Sequence, residues 1–249
     1  MRIAVAGGTG RIGRLVVEEL RRSGHEAVSL SRSEGVDLRS GDGLASRLAG
    51  ADAVIDVTNP PVATVEEAEE AFTAITATLL RAERDAGVAH HVALSIAALD
   101  AVDGNPHYFG KRAQERAVAT GPIPFTIVRA TQFHDFPAMI AEWSVVDGEG
   151  VVPPLLLQPI APADVAAELV AAATSAPLDG AVEIAGPRTE DAVDMARRTF
   201  AARGHDLPVR ASWREAALGL EFAGEVLLPS AQARLAPTRF DEWIADGAQ

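Results

Sequence analysis

Short apolar runs alternate along the chain with amphipathic stretches of helical period. Ile3-Ala4-Val5-Ala6 reads as a buried strand and Gly7-Gly8-Thr9-Gly10 as a turn. From about Arg11 to Arg22, Ile12, Leu15, Val16 and Leu20 share one face of a helix, while Arg14, Glu18, Glu19 and Arg21 point elsewhere. Gly24 supplies the stop. Ala27 to Leu30 predicts a second strand, Gly35 to Leu38 a short third one, and Leu44 to Leu48 a brief helix. Ala53 to Val57 reads as a buried strand closed by Thr58-Asn59-Pro60-Pro61. Thr64 with Glu67 forms a capping box for a long helix reaching about Ala86. The run Glu66, Glu67, Glu69, Glu70 falls in its first turns, where the helix dipole favours carboxylates, so it reads as structural and not as a metal site. His91 to Ile96 is the fifth strand. Asn105-Pro106 reads as N-cap and first residue of a helix to about Thr120, and Pro124 to Arg129 as the sixth strand.

After Thr131 the rhythm loosens. Pro137 to Val146 reads as helix, Gly148 to Pro162 as loop and extended chain, and Asp164 to Thr174 as helix. Ala181 to Ala185 predicts a strand and Thr189 to Arg203 a helix stopped by Gly204; the tail from Leu207 has no clear period. Buried strands alternating with amphipathic helices predict an α/β fold: a doubly wound, mostly parallel sheet with helices on both faces. On this reading residues 1–133 form the core, and residues 134–249 a smaller region of the same domain covering the carboxyl edge of the sheet.

The glycines change the picture from fold to function. Gly7, Gly10 and Gly13 give a G-x-x-G-x-x-G spacing between a strand and a helix. Glycine lets the chain turn sharply, lets backbone N–H groups approach a pyrophosphate, and lets the helix pack on the strand. The helix N-terminus adds its positive end. Gly7, Thr9, Gly10, Arg11 and Ile12 are therefore expected to hold a dinucleotide. An NAD site usually places Asp or Glu at the end of the second strand, about 20 residues on, for the ribose 2′-hydroxyl. Here Ser31 and Arg32 stand there. No carboxylate repels a 2′-phosphate, Arg32 can stack on adenine and pair with that phosphate, and Arg11 can add a second contact. NADP is expected over NAD, with Asp37 and Leu38 near the adenine. Two surface arginines are the plainer alternative.

Composition narrows the rest. The 249 residues are 48% hydrophobic and 23% charged, enough for one large α/β domain and unlike a disordered chain. A net charge of −13 repels phosphate backbones and argues against nucleic acid as a partner. The absence of cysteine excludes disulfides, thiolate zinc sites and thiol catalysis. No stretch of about 18 apolar residues exists, and no charged-then-apolar leader precedes Ile3, so a soluble cytoplasmic protein is expected. No metal is expected: there is no His-x-x-x-His, and His90-His91 alternate faces of a strand. The Gly-rich turn lacks a P-loop ending, and no Gly-x-Ser-x-Gly elbow is found.

Gly7-Gly8-Thr9-Gly10-Arg11-Ile12-Gly13, Arg32 after the second strand and Asp37-Leu38 after the third resemble the atypical short-chain dehydrogenase/reductases, specifically the NmrA-like NAD(P)-binding group. So do Tyr108 to Glu115, Val128 to His134, Gln158-Pro159-Ile160 with Asp164-Val165-Ala166, and Glu183 to Pro187. The resemblance covers nearly the whole chain and implies a Rossmann fold and an oxidoreductase. That group includes quinone and carbonyl reductases as well as regulators that bind the dinucleotide without turning it over.

In short-chain reductases of the better-known pattern, a Tyr gives the proton, a Lys four residues later holds the nicotinamide ribose, and a Ser stands on the preceding strand. By that resemblance Tyr108, Lys111 and Ser95 are the catalytic candidates, with Ser95 and Lys111 also touching the cofactor. Tyr108 and Lys111 are the only tyrosine and the only lysine of the chain. Their spacing is Tyr-x-x-Lys, and His107 takes the position four before Lys111. His107 could donate a proton or cap the loop; water is the third candidate donor. Thr58 and Asn59 lie where a cofactor passes, and Thr131, Gln132 and Phe133 could flank the nicotinamide. Phe136, Met139, Ile140 and Trp143 share a helix face that reads either as the lining of an aromatic or quinone-like substrate pocket, together with His107, or as ordinary core. The expected activity is reduction of a small carbonyl, quinone or enone by NADPH. A non-catalytic dinucleotide sensor is the first alternative and a cofactor-dependent epimerase or dehydratase the second.

Overall fold

The computed structural model describes residues 1–247. Its first half alternates strictly: β1 (Arg2–Ala6), α1 (Arg11–Arg22), β2 (Glu26–Leu30), α2 (Leu44–Leu48), β3 (Ala53–Asp56), α3 (Val65–Ala86), β4 (His90–Ile96), α4 (Pro106–Ala119) and β5 (Phe125–Ala130). There follow α5 (Phe136–Trp143), β6 (Val145–Val146), β7 (Glu149–Val152), β8 (Leu156–Leu157), α6 (Pro162–Ala173), β9 (Gly180–Ala185), β10 (Glu190–Asp191), α7 (Ala192–Arg203), β11 (Val209–Ala211), β12 (Arg234–Leu235) and α8 (Phe240–Ala245). The main sheet has seven strands in the order β12-β9-β5-β4-β3-β1-β2. The pairs β1–β2, β1–β3, β3–β4 and β9–β12 are parallel. The chain winds outward from β1 in one direction through β2 and in the other through β3. That places a topological switch point at the carboxyl end of β1, the usual ligand crevice of such sheets.

Two compact units are present. The first comprises residues 1–99, 104–129 and 165–182; the second comprises residues 100–103, 130–164 and the chain from Glu183 on. In the first unit Ala4, Ala6, Val28, Leu30 and Val54 pack with Leu44 and Leu48 of α2 and with Ile75 and Leu79 of α3. The intervening strand residues Ile3, Val5 and Ile55 point to the other face and are also fully buried. A sheet buried on both faces is the signature of a parallel α/β layer, and it explains the near-continuous apolar runs in the sequence.

The predicted N-caps form. Thr64 Oγ1 accepts the Glu67 N–H at 3.2 Å, but Glu67 reaches back to the N–H of Ala63 at 3.0 Å and not to that of Thr64, so only half of the expected capping box closes. Asn105 Oδ1 accepts the His107 N–H at 3.0 Å. Two further expectations need correction. Residues 35–38 form no strand: Asp37 Oδ1 instead accepts the N–H groups of Arg39 and Ser40 at 2.7 and 3.3 Å, a side-chain turn that competes with extended pairing. The helix predicted to reach Val146 stops at Trp143, because Asp147 and Gly148, at φ 51° and 82°, turn a β6–β7 hairpin. The Asp-Gly pair is a strong hairpin signal and was present in the sequence. No helix among the described residues is long and apolar enough to cross a membrane.

Candidate functional site

The glycine turn is built by close approach of backbone to backbone. The Gly7 N–H donates to Leu30 O at 3.1 Å, and Gly7 O accepts the Gly10 N–H at 2.9 Å. Gly7 has φ +80°, a conformation that favours glycine. A Cβ at Gly13 would lie 2.1 Å from Gly7 O and 2.7 Å from Gly8 Cα, so α1 can pack on the turn only because residue 13 has no side chain. Gly10 caps α1 without a side-chain hydrogen bond, and the first turn of the helix carries no acidic residue. The amides of that turn have no partner within the helix. An uncapped helix start without a carboxylate in its first turn suits a diphosphate. Thr9 and Arg11 are exposed at this turn and Ile12 is buried beneath it.

After β2, Ser31 leads into a short 3₁₀ turn at Arg32–Glu34. Arg32 is exposed, and Ser31 Oγ and Ser33 Oγ lie 3.1 Å apart. Glu34, the nearest carboxylate, pairs with Arg47 at 3.2 Å. The Asp37 carboxyl is held below its ordinary range by the backbone N–H groups of Arg39 and Ser40, with Arg32 and Arg39 adding to the effect. Leu38 packs partly buried against the core.

The ends of β3 and β4 meet α4 in a buried polar network. Lys111 donates to Leu94 O at 2.8 Å, to Gln114 Oε1 at 2.9 Å and to Thr58 O at 3.4 Å. Gln114 Nε2 donates to Asp56 Oδ2 at 2.9 Å, and Asp56 Oδ1 accepts the Thr58 N–H at 2.9 Å. Burial pulls the Lys111 ammonium down to about 8, against the opposing charges of Asp56 and Glu115. Ser95 Oγ and Thr58 Oγ1 are buried without a hydrogen-bond partner among the described residues. Gly110 lets α4 approach α3, since a Cβ there would lie 2.3 Å from the Phe72 ring. That ring lies 5.1 Å from Lys111 Nζ and contacts His107 edge-on. Burial, and then Lys111, push the His107 imidazole down to about 4, so it is neutral at neutral pH. Tyr108 is buried, and Asn59 is exposed just past β3. Ser95, His107, Tyr108, Lys111, Thr58 and Asn59 thus lie in the same unit as the glycine turn. Sequence reasoning missed Asp56 and Gln114; the signal for Gln114 was its place one helical turn after Lys111.

The second unit carries Thr131, Phe133, Phe136, Ile140 and Trp143. Thr131 donates its N–H to Ile184 O at 3.0 Å and its hydroxyl to Gln158 O at 2.7 Å. Phe133 forms an isolated bridge to Ile160. Gln158 Nε2 donates to Gly186 O, and a Cβ at Gly186 would sit 1.8 Å from Pro159 O. The Gln158-Pro159-Ile160 and Gly186 motifs are therefore a backbone clamp on residues 131–134. His134 belongs to the same packing: Nε2 meets Pro159 O at 3.0 Å, its ring contacts Phe240 and Trp243, and burial pushes it down to about 4. Ile140 is fully buried, whereas Trp143 is 59% exposed and packs edge-on with Phe136.

Residues 3–124 match the NAD dependent epimerase/dehydratase family. No curated protein matches the chain. Among solved structures, a short-chain dehydrogenase/reductase superfamily protein from Agrobacterium tumefaciens with bound NAD is 16% identical (TM-score 0.68), the match covering 100% of this chain and 96% of that one. The UDP-glucose-4-epimerase of Stenotrophomonas maltophila, with bound NAD and formylated UDP-arabinopyranose, is 17% identical (TM-score 0.74), over 99% and 96% of the two chains. The Citrobacter sp. triphenylmethane reductase complexed with NADP(H) is 20% identical (TM-score 0.63), over 85% and 79%. At these identities the likeness is one of fold, and it is the Rossmann-like α/β fold with a small C-terminal subdomain.

Proposed function

We propose that the protein is an NADP-dependent oxidoreductase that reduces a carbonyl, quinone or enone of a small organic molecule. The observation that carries this reading is the uncapped start of α1, packed against the glycine turn with no room for a Cβ at Gly13. Bound NADPH supplies the hydride that reduces the acceptor. The amides of residues 7–13 and the helix end hold the diphosphate; Thr58 and Asn59 serve the rest of the cofactor. Ser95 orients the substrate oxygen, and the Tyr108 hydroxyl gives it a proton. Lys111 serves the ribose through the N–H it directs at Thr58 O: at 3.4 Å that contact is long enough for a ribose hydroxyl to share the N–H while the lysine keeps both carbonyls. A neutral His107 suits an aromatic or quinone-like substrate.

NADP is favoured by Arg32 and by the absence of a carboxylate at the end of β2. Arg32→Ala should weaken NADPH binding about 10- to 100-fold, the worth of one or two charge-assisted hydrogen bonds, and leave NADH binding within about twofold. Calorimetric titration of both cofactors checks this, and equal losses for the two would remove the 2′-phosphate role. Consumption of NADPH with a panel of quinones and aldehydes tests the activity itself. Saturable binding with no turnover on such a panel would favour a sensor. The match of residues 3–124 supports one further reading, an epimerase or dehydratase. Its mark would be conversion of a nucleotide sugar with no net change in cofactor redox state.

A further inference from the structure

We infer that Asp56 and Gln114 are positioning residues that act through Lys111, holding its ammonium against the carbonyl oxygens of Leu94 and Thr58 and thereby setting the hydroxyls of Ser95 and Thr58 for a bound ligand. Only the identity of that ligand, a nicotinamide dinucleotide with its substrate, rests on the function proposed above.

The chemistry of each link has one polarity. An ionised Asp only accepts hydrogen bonds, an ammonium only donates them, and an amide has one end of each kind. Asp56 accepts the Gln114 amide N–H, so Gln114 must turn its carbonyl towards Lys111. A flipped amide would set NH₂ against the ammonium and leave Asp56 facing oxygen. Asp56 is itself oriented by the Thr58 N–H. All three side chains are at least nine-tenths buried, so water does not screen or replace these bonds. The charges around Lys111 are Asp56 from β3 and Glu115 from its own helix, the latter forked by Arg129 of β5 at 2.6 and 2.9 Å. His107, one turn earlier, is neutral, and α3 places the Phe72 ring 5.1 Å from the ammonium.

The consequence falls on the strand ends. The two carbonyls that Lys111 gathers belong to Thr58 itself and to Leu94, the residue before Ser95. Thr58 and Ser95, at 7% and 1% exposure, are two of the residues whose buried hydroxyls have no partner among the described residues. Buried polar groups are rarely left so, and two such hydroxyls beside the carbonyls that one ammonium gathers are a place a bound ligand can complete.

Because Lys111 is the chain's only lysine, protein labelled with ¹³C at lysine Cε gives a single side-chain signal whose shift can be followed with pH. The wild-type midpoint is expected near 8. Asp56→Asn removes the charge that favours the ammonium and should lower the midpoint by about one unit. Asp56→Ser removes the same charge while keeping a hydroxyl for the Gln114 amide and should lower it by a similar amount, about one unit; it also covers the case in which Asp56→Asn does not fold. Gln114→Met, with no acceptor oxygen, should raise the NADPH dissociation constant about tenfold, the worth of one lost hydrogen bond, at unchanged circular dichroism. A midpoint unmoved in both charge variants, or NADPH affinity unmoved in Gln114→Met, would overturn the inference. The titration is read on cofactor-free protein, so failure of the wild type to bind any dinucleotide would overturn the proposed function separately.

Discussion

Gly13→Ala should abolish saturable NADPH binding at micromolar concentrations while leaving a destabilised but folded protein. The added methyl would sit 2.1 Å from Gly7 O, 2.7 Å from Gly8 Cα and 2.8 Å from the Gly7 carbonyl carbon. All three are backbone atoms, so no side-chain rotation relieves the clash, and α1 must move off the turn. Overpacking of this kind costs about 1–3 kcal/mol of stability. The effect on binding is larger. The amides at the helix start and in the turn must converge on one diphosphate, and each hydrogen bond to a charged group contributes about 1.5–3 kcal/mol, roughly 10- to 100-fold in affinity. Losing two or more leaves no measurable complex. Gly24→Ala is the control: that glycine ends the same helix at φ +79° with no atom within 4 Å of the added methyl. Its left-handed conformation makes alanine cost about 1–2 kcal/mol, with no effect on binding. Calorimetric titration and thermal unfolding of both variants separate the two costs. Normal NADPH affinity in Gly13→Ala would place the dinucleotide elsewhere, or nowhere.

The second large effect is on stability. His91 of β4 and Glu83 of α3 are both fully buried, with Nδ1 2.9 and 3.0 Å from the two carboxylate oxygens. Removing one partner leaves the other without its counter-charge, so Glu83→Ala should cost about 3–5 kcal/mol in urea unfolding at pH 6. Glu83→Leu combined with His91→Leu should recover most of that, because a packed apolar pair avoids the desolvation of both charges. Burial pulls His91 down, but the charge and hydrogen bond of Glu83, helped by Asp56, outweigh it and hold the imidazole above its usual value. A histidine raised in the folded state contributes fully below the unfolded value of about 6.5, and that contribution fades as pH climbs through the folded value. The gap in stability between wild type and Glu83→Gln should therefore narrow from pH 6 towards pH 9. A gap that widened with pH would mean that the pair is not ionic.

Much of the first unit was legible because its strands and caps follow local rules. Ile3 to Ala6 and Ala53 to Asp56 are apolar on both faces, Thr64 and Asn105 cap as their neighbours dictate, and three glycines at fixed spacing mark the turn. The failures have physical causes. Val36 and Leu38 look like strand residues, but Asp37 offers the backbone a turn that costs less than pairing. Short elements such as β6, β8, β10 and β12, at two residues each, exist through tertiary pairing and leave no period to read. Of the candidate site, the glycine turn was legible residue by residue. The partners of Lys111 were not: Asp56 and Gln114 are 58 residues apart, and nothing local announces that they meet.

The burial of Lys111 has a practical corollary for handling the protein. Amine-reactive dyes and cross-linkers find no accessible ε-amine on the folded molecule, since its one candidate is 4% exposed. Acylating reagents should therefore spare the Lys111 amine, and a lysine-specific endoprotease should cut after residue 111 only as fast as the domain opens. Digestion rate then becomes a direct clock for unfolding, and a dinucleotide that holds the domain shut would slow it.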